Sequence, residues 1–129
     1  MANEIRQTVS IVYENGQLKN TYAPGAINLP QATAGIDIQT VSATSVDTAI
    51  SFTNLTVPGI VCIQSLEPTT TGGIVDWGPQ SSTGATVLPL GSLYPKQMAI
   101  IGTLNSTTTL RIKRTAAGTT KVLITSYEA

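Results

Sequence analysis

The sequence contains no histidine, one cysteine and few charged residues, since only 11% of its 129 residues are Asp, Glu, Lys or Arg. Without histidine, the usual zinc and copper sites and a Ser-His-Asp triad are excluded. The single cysteine, Cys62, cannot form an intramolecular disulfide and has no histidine to activate it as a nucleophile. Its place in the apolar run 59–64 predicts a buried structural thiol.

The seven acidic residues are spread along the chain, and no D-x-D-x-D calcium loop or glycine-rich phosphate loop is present. A calcium site or a glycosidase pair would need carboxylates that folding brings together, and the candidates are Asp37, Asp47, Glu67 and Asp76. A Ser-Lys dyad is a further alternative, but no feature marks one of the four lysines. We therefore expect no catalytic residue, metal or cofactor, and a protein that is not an enzyme.

Seven basic residues balance seven acidic ones, so the chain has no net field that would attract nucleic acid. A neutral, weakly charged surface is poorly protected against association, which indicates that part of it is covered in the working state. An ordinary threonine-rich sandwich is the alternative interpretation. No apolar stretch approaches the ~18 residues of a membrane span, and the polar residues 1–10 do not resemble a signal peptide. We expect no nucleic-acid or membrane partner.

β-Branched residues dominate the composition, with 21 threonines, and no window has the apolar period of a helix. Turn signals separate roughly eight to ten short runs, a spacing typical of an antiparallel β-sandwich or jelly roll. We predict one all-β domain of that jelly-roll-like kind, with an N-terminal hairpin and arm over 1–35 and a sandwich core over 36–129. The predicted strands include 36–43, 46–55, 60–66, 74–77, 97–104, 109–114 and 121–128.

The N-terminal hairpin is predicted from one strand over 4–13 and the turn signal Asn15-Gly16, which favours a type I′ turn. Alternation along this strand places Ile5, Val9 and Ile11 on one face.

The following segment, 23–35, contains two prolines and two glycines. It is expected to be an extended, loop-like arm because proline cannot donate to a sheet ladder. Ile27 and Leu29 indicate that the arm lies on an apolar surface, either of its own domain or of a neighbour.

Arg111 and Lys113 alternate with apolar residues and therefore share the solvent face of a predicted strand. One interpretation is a solvated face that also discourages edge pairing. Another is a salt-bridge patch for an acidic protein neighbour. A nucleic-acid-binding surface is a weaker third interpretation, since no aromatic residues interleave with the charges.

The only tryptophan, Trp77, lies between Asp76 and Gly78 at the end of an apolar run. We predict that it caps the core at a strand end, with its indole N–H bonded to a loop carbonyl. The alternatives are an interface anchor and an exposed platform for sugar stacking.

Several short motifs carry a family resemblance: "MANEIR" followed by the hairpin, then "IVCIQSL", "VDWG", "LYP" and "LRIKRTAAGTTKVLI". They resemble small β-sandwich virion proteins of tailed bacteriophages, of the capsid decoration (cement) type or related tail-associated proteins. The resemblance covers roughly residues 1–12 and 50–127, and departs from the family at "YPKQ", where a Pro-Gly turn and an acid are expected. It implies no catalytic residues, and implies that Trp77 packs in the fold while Gly78 permits a turn.

These observations predict a structural virion protein, made in the host cytoplasm, that decorates the major capsid protein lattice and stabilises the head. The resemblance implies a homotrimer, because decoration proteins often work as trimers, a common closed symmetry. The alternatives are a minor tail or head–tail component bound to other virion proteins and, from another class, a carbohydrate-binding module. The expected contact residues are Ile5, Val9, Ile11, Ile27, Leu29, Arg111 and Lys113.

Overall fold

The computed structural model describes residues 4–30, 35–68, 72–102 and 109–128, without the side chains of 4, 5 and 27–30. The described chain divides into two compact units, residues 1–34 and 35–129. Its strands are β1 (Glu4–Thr8), β2 (Ile11–Asn15), β3 (Leu18–Tyr22), β4 (Ala26–Pro30), β5 (Ile36–Ala43), β6 (Thr48–Ala49), β7 (Pro58–Ser65), β8 (Val75–Pro79), β9 (Gly91–Leu93), β10 (Met98–Ile101), β11 (Leu110–Arg114) and β12 (Thr120–Glu128).

The C-terminal unit is a sandwich of two four-stranded antiparallel sheets, ordered β10-β7-β12-β5 and β6-β11-β8-β9. The all-β antiparallel sandwich predicted from the sequence is confirmed, while the jelly-roll arrangement stays a prediction. The buried core takes side chains from both sheets: Ala43, Ile50, Val61, Ile63, Val75, Leu93, Leu110, Ile112, Val122 and Ile124.

Strand β12 shows why this sequence forms the centre of its sheet. Its inward residues, among them Val122 and Ile124, are fully buried, while the residues between them are partly exposed. Full burial of a Val or Ile side chain is worth about 1.5–3 kcal/mol. The period-2 pattern therefore fixes which face of β12 turns to the core.

The predicted strand 46–55 is wrong except for Thr48 and Ala49. After one further ladder bond, from the Ile50 N–H to the Leu110 carbonyl (2.9 Å), the chain turns, and the Leu55 N–H donates to the Phe52 carbonyl (2.9 Å). Alternating apolar residues predicted a longer strand, but side-chain hydrogen bonds to the Ser51 carbonyl and from Asn54 hold 51–57 as a loop.

The buried carboxylate of Glu128 anchors this loop to the last strand. Its Oε1 accepts the N–H groups of Thr56 (2.8 Å) and Val57 (3.0 Å). The Glu128 N–H donates to the Gly35 carbonyl (2.9 Å). The first residue of the C-terminal unit is therefore bonded to the last strand of that unit.

The N-terminal unit contains two ladders, β1 with β4 and β2 with β3. The predicted single strand 4–13 is therefore wrong, because it divides at Val9 and Ser10. Between the two ladders, residues 9–10 on one side oppose 23–25 on the other. Neither stretch pairs in a ladder, and Gly25 (φ 94°) adopts a left-handed conformation there that glycine tolerates without strain.

The prediction that all of 23–35 is loop-like is also wrong, because β4 occupies Ala26–Pro30. In a two-stranded ladder every strand is an edge strand, which is where proline is tolerated. Residues 31–34 lie outside the described part of the chain.

The hairpin turn differs by one residue from its prediction. Asn15 pairs with Leu18, so the two-residue loop is Gly16-Gln17. Only Gly16 (φ 58°) has a positive φ there, as in a type II′ turn rather than type I′.

Candidate functional site

The β2–β3 hairpin is amphipathic. Directly paired residues of antiparallel strands share a face, and the pairs Ile11–Tyr22, Tyr13–Asn20 and Asn15–Leu18 alternate with Val12–Thr21 and Glu14–Lys19. The second set includes an exposed ion pair, with Lys19 Nζ 2.8 Å from Glu14 Oε1. The first set, here named the hairpin face, carries Ile11, Tyr13, Leu18 and Tyr22.

All four large apolar residues of the hairpin face are exposed, with Ile11 59% and Leu18 64% accessible. A two-stranded hairpin alone is marginally stable in water. A contiguous apolar patch on such an element is typical of an interaction site. The hairpin face is therefore the strongest candidate for a contact with another molecule.

An open cavity of about 290 Å³ lies where the two ladders of the same unit separate, lined by Gln7, Val9, Tyr22, Pro24 and Gly25. Tyr22 belongs to both the cavity and the hairpin face. The two features therefore form one continuous surface along the N-terminal unit.

The structure places the predicted N-terminal contact residues on different ladders. Ile5 lies in β1 and Ile11 in β2, so these two do not share one strand face. The side chains of Ile5, Ile27 and Leu29 lie outside the described residues. Sequence analysis missed Tyr13, Leu18 and Tyr22, although pairing the strands across the turn at Gly16 would have placed them together.

The two basic residues of β11 are engaged within their own chain. Lys113 Nζ lies 3.2 Å from Asp47 Oδ2. Arg111 donates from Nε to Gln80 Oε1 (2.9 Å) and from Nη1 to the Asp47 carbonyl (3.4 Å). The idea that they discourage edge pairing is wrong, because β11 lies between β6 and β8. The salt-bridge patch for an acidic neighbour stays a prediction.

Asp47 links three segments of the sandwich. Its side chain is 12% exposed and pairs with Lys113, and its Oδ1 accepts the Val87 N–H (2.5 Å). The Val87 N–H, and then the Lys113 ammonium, hold the pKa of Asp47 below its ordinary value of 3.8, against the opposing effect of burial. The carboxylate form therefore stabilises the fold.

Replacing Asp47 with asparagine is expected to lower the free energy of unfolding by about 1–3 kcal/mol at neutral pH, because a charge-assisted contact is lost. The folded pKa is depressed, so this contribution is present above the unfolded pKa and is lost as pH falls through the folded pKa. Urea denaturation of both chains from pH 7 to 2 measures it. We expect the two stabilities to converge below about pH 4, and a constant difference would refute this role.

Trp77 lies within β8 rather than at its end. It packs against the buried core, and a Cβ on the paired residue Gly91 would be 3.1 Å from its indole ring. This packing favours a scaffold role over an exposed sugar platform.

Gly78 also lies within β8, so the implication that it permits a turn is wrong. The N–H groups of Leu88 and Leu90 donate to the carbonyls of Pro79 (2.8 Å) and Trp77 (2.9 Å). These bonds hold the Leu88 carbonyl where a Cβ on residue 78 would be. Glycine is needed here for close backbone approach.

Cys62 is only half-buried, so the predicted buried thiol is wrong in that respect. It lies in β7 but faces outward, whereas its neighbours Val61 and Ile63 are fully buried. Partial desolvation raises the pKa of the thiol, which lowers its reactivity at neutral pH.

Within the described ranges, no group of three or more His, Cys, Asp or Glu residues could hold a metal ion. All four acids considered above have polar partners within the chain, and those of Asp47 are described above. Asp37 accepts hydrogen bonds from Gln39 (2.9 Å) and Asn54 (2.8 Å), Asp76 accepts one from Ser92 (2.5 Å), and Glu67 Oε2 accepts one from Thr120 Oγ1 (3.1 Å). The described part of the chain contains no helix that is long and apolar enough to cross a membrane.

No family model, curated protein or solved structure matches this chain. The resemblance to small phage virion proteins therefore depends on the sequence motifs alone.

Proposed function

We propose that this chain is a structural protein of an assembled phage particle, of the capsid decoration type, that binds its lattice partner through the N-terminal unit. The observation that carries the proposal is the hairpin face, four large apolar side chains exposed on a two-stranded ladder. The low charge of the chain and the virion-protein motifs agree with it.

The energetics suit such a role. Burying the exposed parts of four large apolar side chains is worth roughly 4–8 kcal/mol, before the cost of association is subtracted. One contact would therefore be weak. Several copies that each bind only the assembled lattice stabilise it by mass action, and bridging of neighbouring subunits adds avidity.

The hairpin offers a matched pair of variants that tests the proposal. Ile11 and Val12 are adjacent β-branched residues, 59% and 64% exposed, on opposite faces. Ile11→Lys places a charge on the hairpin face and should weaken binding at least ~10-fold, because an unpaired charge is costly to bury. Val12→Lys places the same charge beside the Glu14–Lys19 pair and should bind normally.

Binding is measured by cosedimentation of each full-length chain with purified particles that lack it. Melting curves of the two variants control for folding. Equal binding by Ile11→Lys and the unmodified chain would show that the hairpin face is not the contact surface. Loss of binding in both variants would indicate that the hairpin itself, rather than one face, is required.

A further inference from the structure

The outward side of the sheet β10-β7-β12-β5 is a second uncovered apolar surface. One row across its four strands is Ile38, Thr125, Cys62 and Ile100, and the next is Thr40, Leu123, Gln64 and Met98. Ile36 and Tyr127 extend it at one end, and Ser42 and Lys121 at the other. This surface is here named the open face.

The open face differs from the outward side of the opposite sheet. That side carries Arg111, Lys113 and Asp76, and each of them has a polar partner within the chain. On the open face Ile38 is 62% exposed, and Ile36, Met98 and Ile100 are exposed as well. An antiparallel sheet with one solvated side normally has polar residues there, whereas the open face combines its polar residues with four large apolar side chains in contact with water.

We propose that the open face packs against the same face of a second copy of this chain, which gives a dimer rather than the homotrimer expected from the resemblance. Such a contact is isologous, the commonest symmetry of soluble homo-oligomers, and flat sheets pack face to face about 10 Å apart in this way. This contact is separate from the hairpin face, and the proposal does not depend on the particle function.

The charge distribution favours a second copy over a partner of opposite charge. Lys121 is the only ionisable group on the open face besides the Cys62 thiol and the Tyr127 hydroxyl, and its Nζ donates to Ser42 Oγ (2.8 Å) at one end of the surface. The net charge of the chain is zero, so two copies do not repel each other through their overall fields. The face has no charge pattern that would select a different protein.

The area agrees with a weak dimer. Strands lie about 4.8 Å apart and rise about 3.3 Å per residue, so four strands from Ile36 to Ser42 cover roughly 400 Å². Two copies would bury roughly 800–1,000 Å² in total, at the lower limit for specific complexes. We expect a dissociation constant between ~1 and ~100 µM, and therefore a monomer–dimer equilibrium rather than a permanent dimer.

Sedimentation velocity of the full-length chain between ~1 µM and ~1 mM tests the proposal, a range that spans weak dimerisation. Ile38→Lys should weaken dimerisation at least ~100-fold, because it buries an unpaired charge in the contact. Val46→Lys is the matched control, since Val46 is 70% exposed but lies off the open face. Val46→Lys and Ile11→Lys should both dimerise normally.

Cys62 provides a second readout that needs no substitution, because it is the only cysteine and lies in one of the two central rows of the open face. Its reaction rate with a maleimide should fall as protein concentration rises through the dimerisation range, and Ile38→Lys should abolish that fall. A chain that stays monomeric at ~1 mM, far above the expected dissociation range, would overturn the proposal. So would unchanged dimerisation of Ile38→Lys, or a loss in Ile11→Lys as large as in Ile38→Lys.

Discussion

A Gly78→Ala chain is expected to melt at least about 12 °C below the unmodified chain. The added Cβ would overlap the Leu88 carbonyl oxygen. The backbone cannot move away easily, because the Leu88 and Leu90 N–H groups bind β8 on either side of residue 78. Such overpacking costs about 3 kcal/mol or more, and each kcal/mol lowers the Tm of a domain this size by about 4–8 °C.

Gly84→Ala is the control for this substitution. Gly84 is exposed, its φ is not in the left-handed region, and a Cβ there meets no atom within 4 Å. Its Tm should stay within about 2 °C of the unmodified chain. Thermal denaturation followed by circular dichroism compares the three chains, and equal melting of Gly78→Ala and Gly84→Ala would refute the close approach.

Removing residues 1–34 is expected to abolish particle binding while the sandwich stays folded. Among the residues whose burial the structure describes, the core cluster lies entirely between Ala43 and Ile124. The shortened chain should begin with an initiating Met before Gly35, because the Gly35 carbonyl accepts the Glu128 N–H. Its Tm should therefore stay close to that of the full chain.

Cosedimentation with purified particles and thermal denaturation measure the two halves of this prediction. If the shortened chain still binds particles with the affinity of the full chain, the N-terminal unit is not the contact surface. If it binds less and is unfolded, the core depends on residues 1–34, and the hairpin variants decide the contact instead.

Part of this fold could be predicted because hydrophobic alternation and turn residues agree. Strand β5 occupies the predicted residues 36–43, and β12 lies within one residue of its predicted start. In β12 the period-2 pattern also determines the inward side, because Val122 and Ile124 are buried. In β5 it determines the strand alone, because the alternating Ile36 and Ile38 lie on the exposed side.

Elsewhere the controlling contact comes from a distant part of the chain. Residue 78 must be glycine because the Leu88 carbonyl occupies the place of a Cβ. The loop that replaces the predicted strand 46–55 is held in part by hydrogen bonds to the Glu128 carboxylate. Alternation cannot reveal such partners, because it carries only local information.

The candidate surfaces were harder to predict than the fold. Cys62 lies in a continuous apolar run, which indicates burial on both sides and does not show which side lies between the sheets. The open face therefore became visible only once the register of four strands was known. The hairpin face likewise required the pairing of β2 with β3.

The proposed function places this chain in virions, and quantitative mass spectrometry of purified particles from its source tests that placement. We predict that the chain is present in a fixed stoichiometric ratio to the major capsid protein, as a lattice contact through the N-terminal unit requires. A few copies per particle would move it to the tail or connector. Its absence from the virions would contradict the proposed function.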